Sequence, residues 1–507
     1  MPVTDTHPQY DEYIERWITA RDVIEGEEAL KRKGRAGVYL PKLPGHAGRP
    51  ASYATYLRNA HFFNATARTH AGLKGLVERK DPDIEAPGVL DEFLLDATGD
   101  GRSFVEFAFS LVDESLSTGR PGVLVDFAEP KGTAQSKSDE KAEGLRPFVV
   151  LYMAESICNW WTARIDGKEK LVKVVLRESV RVEDPVDEFS SKSQTRYRVL
   201  DLEPTDDGGY GPYRQRTYEI VDSQGGSSGE DEYAENLSLR VHPVMNMKYL
   251  DFIPFEFVGL IDVTRPPLMD LVAANLAHYR NSASLENGLV LAGSPTPWVN
   301  NYERSKEESK EDGSLETKGE MWMMGGGNVW TFKGPCEVGK ISISEGDLSA
   351  ISSAMTQKEQ YMVILGARVI ESEQAPAESG IAKKIDDDRD ASMLASLSKL
   401  VSKSLTRILT ICRDWSGDTA SDVSVSMNTD FFGRALTPAE ATAVADLWQK
   451  YRLYTRDDAR RILRRGEWIP SDRTDEAIED ELEAEDMIGL EEPDPPSILP
   501  TSTEPEE

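Results

Sequence analysis

The sequence has few cysteines and no long apolar run. Its 507 residues include only three cysteines, Cys158, Cys336 and Cys412, which are odd in number and far apart. This spacing excludes a disulfide framework and a CxxC metal knuckle, and it favours a reducing compartment. The N-terminus lacks a basic segment followed by an apolar one, and no stretch approaches the roughly 18 consecutive apolar residues of a membrane helix. We therefore expect a soluble protein without a secretory signal or a membrane partner.

Basic residues are scarce relative to acidic ones. The chain has 58 Lys and Arg against 89 Asp and Glu, which gives a formal net charge of −31. Residues 475–507 contain 14 of the acids and no Lys or Arg, so residues 1–474 carry −17. Binding to nucleic-acid phosphates depends on Lys and Arg. The composition therefore excludes a general polyanion binder and suits a protein that avoids DNA better than one that grips it.

Catalytic motifs are missing as well. No GxxxxGK[ST] loop occurs, which argues against an ATP-driven motor. No GxSxG or Cys–His–Asn pattern marks a nucleophile, and His61 and His70 have no second pair of ligands to complete a metal site. The acidic run from Asp386 to Asp390 lacks the glycine and closing glutamate of an EF-hand, and acids at a helix N-terminus interact favourably with the helix dipole. We expect no enzyme activity, no metal and no cofactor.

Apolar periodicity predicts an α+β chain with helices at both ends and a β-rich module between them. The predicted segments are, in chain order, helices within 10–32, 53–80 and 103–118, β-strands over 121–258, a helix from about 266 that stops before Gly288, an insert with a hairpin at MWMMGGGNVWTF, a helix over 345–365, a loop, a long helix over 385–413, a short strand near 423–427, and helices near 437 and 455–465. The last residues are charged, contain several prolines and few aromatics, and predict a disordered tail.

The long helix is strongly amphipathic. Its apolar positions lie within about 80° of arc at 100° per residue; they are Leu394, Leu397, Val401, Leu405, Ile408 and Cys412. Lys399, Lys403 and Arg407 fall on the opposite side. These three residues are interpreted either as an ordinary solvated face or as a surface over which a polyanion passes.

A second basic segment lies near the C-terminus. Residues 448–465 contain seven Lys or Arg against two Asp. This segment is open to the same two interpretations, because its arginines could instead pair with acids elsewhere in the chain.

The order of these segments resembles that of bacteriophage portal proteins, in the sequence wing, stem, clip, stem, tunnel loop and crown. Local sequence is also similar to a phage portal family known only as a domain of unknown function. The resemblance spans roughly Tyr10 to Trp468 and is carried by YIERWITARDVIEGEEALKRKG, YLRNAHFFNATARTHAGLKGLVERK, GRPGVLVDFAEP and QAPAESGIAKKIDDDRDASMLASLSKLVSKSLTRIL. None of these pieces is a catalytic signature, so the resemblance depends on their number and order.

The resemblance implies an elongated α+β subunit with a helical and β-stranded wing, a two-helix stem, a small α/β clip, a long channel-side helix and a helical crown. The implied boundaries are wing 1–258 with its β-rich module at 121–258, first stem helix 259–288, clip 289–344, second stem helix 345–366, tunnel loop 367–382, long helix and return to the wing 383–435, crown 436–468, and acidic disordered tail 469–507.

The resemblance also implies a function. Portal proteins form a ring, usually of twelve subunits, at one vertex of the capsid, and are assembled in the host cytoplasm. Double-stranded DNA passes through the ring during packaging and ejection without sequence preference. The implied partners are the terminase large subunit, a head-tail adaptor protein, and the major capsid and scaffold proteins.

The implied contact residues fall in three groups. The channel and tunnel-loop group is Glu373, Gln374, Lys383, Lys384, Lys399, Lys403 and Arg407. The basic crown group is Arg456, Arg460, Arg461, Arg464 and Arg465. In the clip, Trp322 and Trp330 are candidates for partner contacts, although two tryptophans in one hairpin also suit packing across its strands.

Two other functions stay open. A minor head protein or scaffold would not need the order helix, insert, helix, loop and helix. A nucleic-acid-processing enzyme would need a carboxylate cluster or a nucleotide site, and the sequence contains neither in a recognisable form.

Overall fold

The computed structural model describes most of the first 429 residues and scattered residues after them. The described residues are 2–127, 145–183, 189–206, 208–221, 232–293, 296–300, 308–309, 315–316, 335–341, 345–367, 380–429, 431, 441–442, 444, 455–456, 459–460, 463, 468–469, 473 and 477–481, with 380–393 described through their backbone. Contacts divide the chain into two units, Met1–Thr429 and Asp430–Glu507. The hairpin predicted at 321–332 and the loop residues 368–379 lie outside the described residues.

The described residues form both helices and antiparallel sheets, which confirms the predicted α+β class. The helices are α1 Pro8–Glu25, α2 Glu27–Lys31, α3 Ala36–Tyr39, α4 Pro50–Asn59, α5 Ala65–Glu78, α6 Asp91–Leu95, α7 Phe104–Thr118, α8 Met269–Gly293, α9 Glu345–Met362 and α10 Gly380–Trp415. The strands are β1 Asp83–Glu85, β2 Gly122–Phe127, β3 Pro147–Tyr152, β4 Ile157–Ile165, β5 Lys168–Glu183, β6 Ser191–Pro204, β7 Tyr210–Ile220, β8 Tyr233–Val241, β9 Val244–Met245, β10 Lys248–Tyr249, β11 Phe255–Phe257, β12 Thr296–Asn300, β13 Glu308–Ser309, β14 Leu315–Glu316, β15 Glu337–Ile341 and β16 Ser424–Ser426.

Helix α7 begins and ends as its sequence predicts. The Ser103 hydroxyl accepts a hydrogen bond from the Glu106 amide at 3.2 Å, and the Glu106 carboxylate accepts one from the Ser103 amide at 2.8 Å. This reciprocal capping box satisfies two amides that have no partner inside the helix. At the other end Gly119 adopts φ +73°, a conformation that costs glycine little. Local sequence therefore suffices to define this element.

The single helix predicted over 53–80 is wrong, because the chain breaks between α4 and α5. Side chains of α2 bind the backbone at the break: Lys31 Nζ donates to the Ala60 carbonyl at 2.6 Å, and the Phe62 amide donates to Glu27 at 2.9 Å. Asn64 then caps α5 by accepting from the Ala67 amide at 2.9 Å. The backbone groups that a continuous helix would pair internally are satisfied here by residues distant in sequence.

Antiparallel sheets form the β-rich module. Strands β4 to β8 make a five-stranded sheet in which each strand pairs with the next, and β2 lies between β11 and β3 in a smaller sheet. Strand β16 pairs with β1, with Val425 opposite Ile84. The N-terminal segment covers part of edge strand β4, since the His7 amide donates to the Cys158 carbonyl at 3.0 Å.

The N-terminal helices pack on α8 around one buried cluster. Its members are Ala20, Val23, Leu30, Tyr39, Leu40, Tyr56, Ala60, Phe62, Val272, Leu276, Tyr279 and Ala283. Beside it, the Asn275 amide oxygen accepts from the Thr66 amide at 3.1 Å and from its hydroxyl at 2.9 Å, while the Asn275 nitrogen donates to the Phe63 carbonyl at 2.8 Å. A buried side chain whose polar atoms are paired in this way fixes both orientation and register. Helix α8 is therefore held firmly by the first 80 residues.

Helices α8 and α9 form an antiparallel hairpin. Leu271 contacts Met362, His278 Nε2 lies 3.1 Å from Glu359 Oε1, and Lys358 Nζ donates to the Ala277 carbonyl at 3.2 Å. Helix α8 continues to Gly293, so the predicted stop before Gly288 is wrong; Gly288 is buried inside the helix.

Beyond the ends of these helices, strands β12 and β15 pair antiparallel, with Trp298 opposite Gly339. The Trp298 ring occupies the space that a Cβ at position 339 would need, only 2.5 Å away. The segment between α8 and α9 thus begins and ends with two paired strands, which the apolar periodicity did not predict.

Candidate nucleic-acid interface

The long helix α10 is the element that positions the candidate interface. Five of its predicted apolar residues are almost completely buried; they are Leu394, Val401, Leu405, Ile408 and Cys412. The helix packs against α7 and against strands β2, β3 and β11. After Trp415, Gly417 adopts φ +86° and its amide donates to the Asp414 carbonyl at 3.1 Å. The apolar face predicted from spacing is confirmed, and one side of the helix is fixed to the core.

A row of hydroxyls beside the apolar face binds strand β16. Ser402 Oγ accepts from the Met427 amide at 2.9 Å, and Thr406 Oγ1 accepts from the Val425 amide at 3.0 Å. The spacing matches, because four residues of helix rise about 6 Å and two residues of strand rise about 6.6 Å. The row fixes the rotation of α10 about its axis, and so determines which residues face outward.

Lys399, Lys403 and Arg407 lie on the outward side, and all three are exposed. Among the described residues, neither lysine has an ion-pair partner within 4 Å. Their ammonium groups are therefore available to an anion. The spacing of four residues places successive cations about 6 Å apart along the helix axis, on one side of the helix.

Arg407 differs from the two lysines because an acid faces it. Its Nε lies 3.3 Å from Glu256 Oε2, while its side chain is 70% exposed. Glu256 belongs to β11 and its side chain is only 15% exposed. Burial raises the pKa of the Glu256 carboxyl above its ordinary value, although the charges of Arg407 and Lys403 act in the opposite direction. Lys399, Lys403 and Arg407 together form a cationic stripe on α10. It comprises two lysines without an ion-pair partner among the described residues and one arginine whose partner is a partly buried acid.

Most of the other residues implied by the resemblance lie outside the described side chains. Lys383 and Lys384 belong to α10, which begins at Gly380 and not at about residue 385 as predicted. Glu373, Gln374, Trp322 and Trp330 are outside the described residues.

In the second unit, Arg456 is exposed and Arg460 is buried. The Arg460 guanidinium lies 2.9 Å from Glu479 Oε1. Glu479 belongs to a helical segment at 477–481, which differs from the disordered tail expected over 469–507. Pairing with an acid, one of the two interpretations of the basic segment, therefore applies to Arg460. Arg461, Arg464 and Arg465 are outside the described residues.

The β-rich module also contains arginines beside a cleft of about 820 Å³, but each has an acidic partner. Arg198 Nη1 lies 3.1 Å from Asp126, Arg196 Nε lies 2.6 Å from Glu178, and Arg240 Nη2 lies 2.7 Å from Glu235. An anion would have to displace these carboxylates. Unpaired cations therefore distinguish the stripe on α10 from this cleft.

Among the described residues, no cluster of three His, Cys, Asp or Glu is placed to hold a metal ion. Within the same part of the chain, no helix is both long and apolar enough to span a bilayer.

Sequence reasoning missed Glu256 and the hydroxyl row. Glu256 stands between Phe255 and Phe257, which are both buried. Because neighbouring strand residues point to opposite faces, a lone acid between two phenylalanines was a signal for a charge directed away from that core. Ser402 and Thr406 share the helical spacing of the apolar residues, but nothing in their identity indicates which strand they bind.

Comparison with known proteins finds a family of undefined function and components of phage-like particles. A family described as "Domain of unknown function (DUF4055)" matches residues 267–416, which contain α8, α9 and α10. Among solved structures, a chain from the neck of a native GTA particle computed with C12 symmetry has 12% identity and a TM-score of 0.33, covering 82% of this chain and 93% of that one. A chain from the neck of an empty GTA particle computed with C6 symmetry has 13% identity and a TM-score of 0.33, covering 81% and 92%. No curated protein matches.

Proposed function

We propose that this chain is a non-enzymatic phage portal protein. It forms a ring at one capsid vertex through which double-stranded DNA enters and leaves, and the ring carries docking sites for terminase and a head-tail adaptor. The observation that carries the proposal is the α8–α9 hairpin: two antiparallel helices leave a wing, hold an insert closed by β12 and β15, and are followed by the long helix α10. This is the order that stem, clip, stem and channel-side helix require.

The outer half of the hairpin supports self-association. Residues 281–293 and 348–357 include a single charged residue, Glu286, in a chain that is 29% charged. Leu289, Val290 and Leu291 are 47–49% exposed, and α9 exposes the small residues Ser349, Ala350 and Ser353. Copies of a chain with net charge −31 repel one another, so they should meet where charge is absent. Different surfaces on the two helices suit the heterologous contacts of a closed ring.

The charge distribution suits DNA in transit. A strongly acidic body offers few surfaces to which a duplex can adhere, while a limited number of exposed cations on α10 can contact phosphates without reading sequence. At physiological salt, screening over about 8 Å restricts these effects to charges near the DNA. Weak contacts of this kind would guide DNA without stopping it.

Native mass measurement combined with electron microscopy tests the proposal. We expect rings with an open centre and a mass of about 677 kDa for twelve copies of 56.4 kDa. A stable dimer or tetramer without a central hole would contradict it. So would a monomer that stays monomeric when produced together with the capsid and scaffold proteins of the same particle.

A further inference from the structure

Glu256 is placed to control one end of the cationic stripe. It projects from β11, where its neighbours Phe255 and Phe257 are buried, and β11 pairs with β2 so that Glu256 lies opposite Val123. The pairing of β11 with β2 fixes the backbone that carries this carboxylate beside α10. The contact between Arg407 Nε and Glu256 Oε2, at 3.3 Å, is the point where strand and stripe meet.

The two partners differ in their surroundings. Glu256 is largely shielded from water, whereas most of the Arg407 side chain is exposed. A charge in partly buried surroundings is screened less by water and salt than a surface charge, so its attraction for a neighbouring cation is stronger. A phosphate that approaches Arg407 from solvent must therefore compete with a fixed carboxylate. Lys399 and Lys403 have no ion-pair partner within 4 Å among the described residues, so although the charge of Lys403 also acts on Glu256, the direct contact is with Arg407.

We propose that Glu256 is a positioning residue that withholds Arg407 from DNA phosphates and limits each copy to two freely available cations on the stripe. The inference rests on the proposed function, because it assumes that the stripe meets DNA in transit. Each phosphate contact releases counterions from the DNA, and this release makes the binding free energy more favourable. In a ring these contributions are multiplied by the number of copies, so one acid per chain keeps the hold on DNA weak enough for sliding.

The test measures binding of Glu256→Gln to a fluorescent 30-base-pair duplex of arbitrary sequence over a range of salt concentrations. The substitution releases Arg407 to make one additional phosphate contact per bound chain. This contact should steepen the slope of log affinity against log salt by about 0.9, which is roughly an eightfold gain in affinity at 0.1 M salt. Glutamine preserves the size of the side chain while removing its charge. A merely structural role for Glu256 would leave the salt slope unchanged.

Two variants control for effects of net charge. Glu203→Gln removes an acid that lies 2.8 Å from Arg214 in the wing, so it changes the net charge equally but far from the stripe in sequence and on a different sheet. It should leave the slope unchanged. The double variant Glu256→Gln with Arg407→Gln should lose the gain. Equal gains in the Glu203 and Glu256 variants, or a gain that survives the loss of Arg407, would overturn the inference.

Single cation variants test the same inference without altering Glu256. Arg407→Gln alone should change wild-type affinity less than twofold, whereas Lys403→Gln should weaken it roughly eightfold at 0.1 M salt. Equal losses, or no detectable binding by any variant at low salt, would overturn the inference. If the protein forms rings but its variants do not show these differences in DNA affinity, the proposed function stands and the role of Glu256 is excluded. If the variants show these differences but the protein forms no ring, the role of Glu256 stands and the portal function is contradicted.

Discussion

At the scale of single residues, exposure and pairing separate cations that are available to an anion from those that are not. Arg460 is basic and lies in the segment 448–465, yet it is buried and paired with Glu479. Lys399 and Lys403 are exposed and have no ion-pair partner among the described residues. The charge of a residue can be read from the sequence, whereas its availability depends on which acids the fold brings near it.

We predict that Lys399→Glu combined with Lys403→Glu leaves ring assembly intact and impairs DNA packaging or retention. Two lost phosphate contacts should weaken DNA binding by the purified chain roughly sixtyfold at 0.1 M salt. The measurement is the DNA content of particles built with the variant.

The matched control replaces Lys168 in β5 and Lys248 in β10, two exposed lysines, by Glu. This variant has the same net charge, so its particles should fill normally. Filled particles from the Lys399 and Lys403 variant would remove the stripe from the mechanism.

At the scale of elements, the rotation of α10 is decided by its contact with β16. Ser402 Oγ and Thr406 Oγ1 accept the amides of Met427 and Val425, and these hydrogen bonds face a strand that is itself paired with β1. A shift by one residue would turn the helix by about 100° and carry the lysines out of their shared outward face. The hydroxyl row therefore links packing to the candidate function.

We predict that Thr406→Val lowers the free energy of unfolding by about 1–3 kcal/mol, because the Val425 amide loses its acceptor in a buried position. Thr410→Val is the control, since the Thr410 hydroxyl donates only to the Thr406 carbonyl of its own helix at 2.7 Å. That change should stay within about 0.5 kcal/mol. Denaturant unfolding of the two variants tests this, and equal losses would contradict the role assigned to β16.

At the scale of the whole molecule, the chain separates regions of high and low charge. The outer parts of α8 and α9 are almost free of charge, while the rest of the chain is strongly acidic. Contiguous exposed apolar residues often mark an interaction surface. Under the proposed function, neighbouring copies in the ring would cover these residues.

We predict that Val290→Glu abolishes ring formation at concentrations where the wild-type chain is fully assembled. Each interface would bury an unpaired carboxylate, at a cost of several kcal/mol. Leu237→Glu, at a 68% exposed position of β8, is the control and should leave the rings intact. Native mass and circular dichroism distinguish lost assembly from lost folding. Rings of normal mass from Val290→Glu would exclude the outer hairpin as the contact between copies.

Local sequence determined the elements whose stabilising contacts lie within one or two turns. The cap and C-terminal glycine of α7, the apolar face of α10 and the helical character of α8 and α9 all follow from spacing and capping residues close together in the chain. At the break between α4 and α5 the Asn64 cap is also local. Tertiary structure decided the hydrogen bonds of Glu27 and Lys31 with the backbone at that break, and the contact of Glu256 with Arg407. These pairings join residues far apart in sequence, and no local periodicity encodes them, because the distance between such groups exists only once the chain has packed.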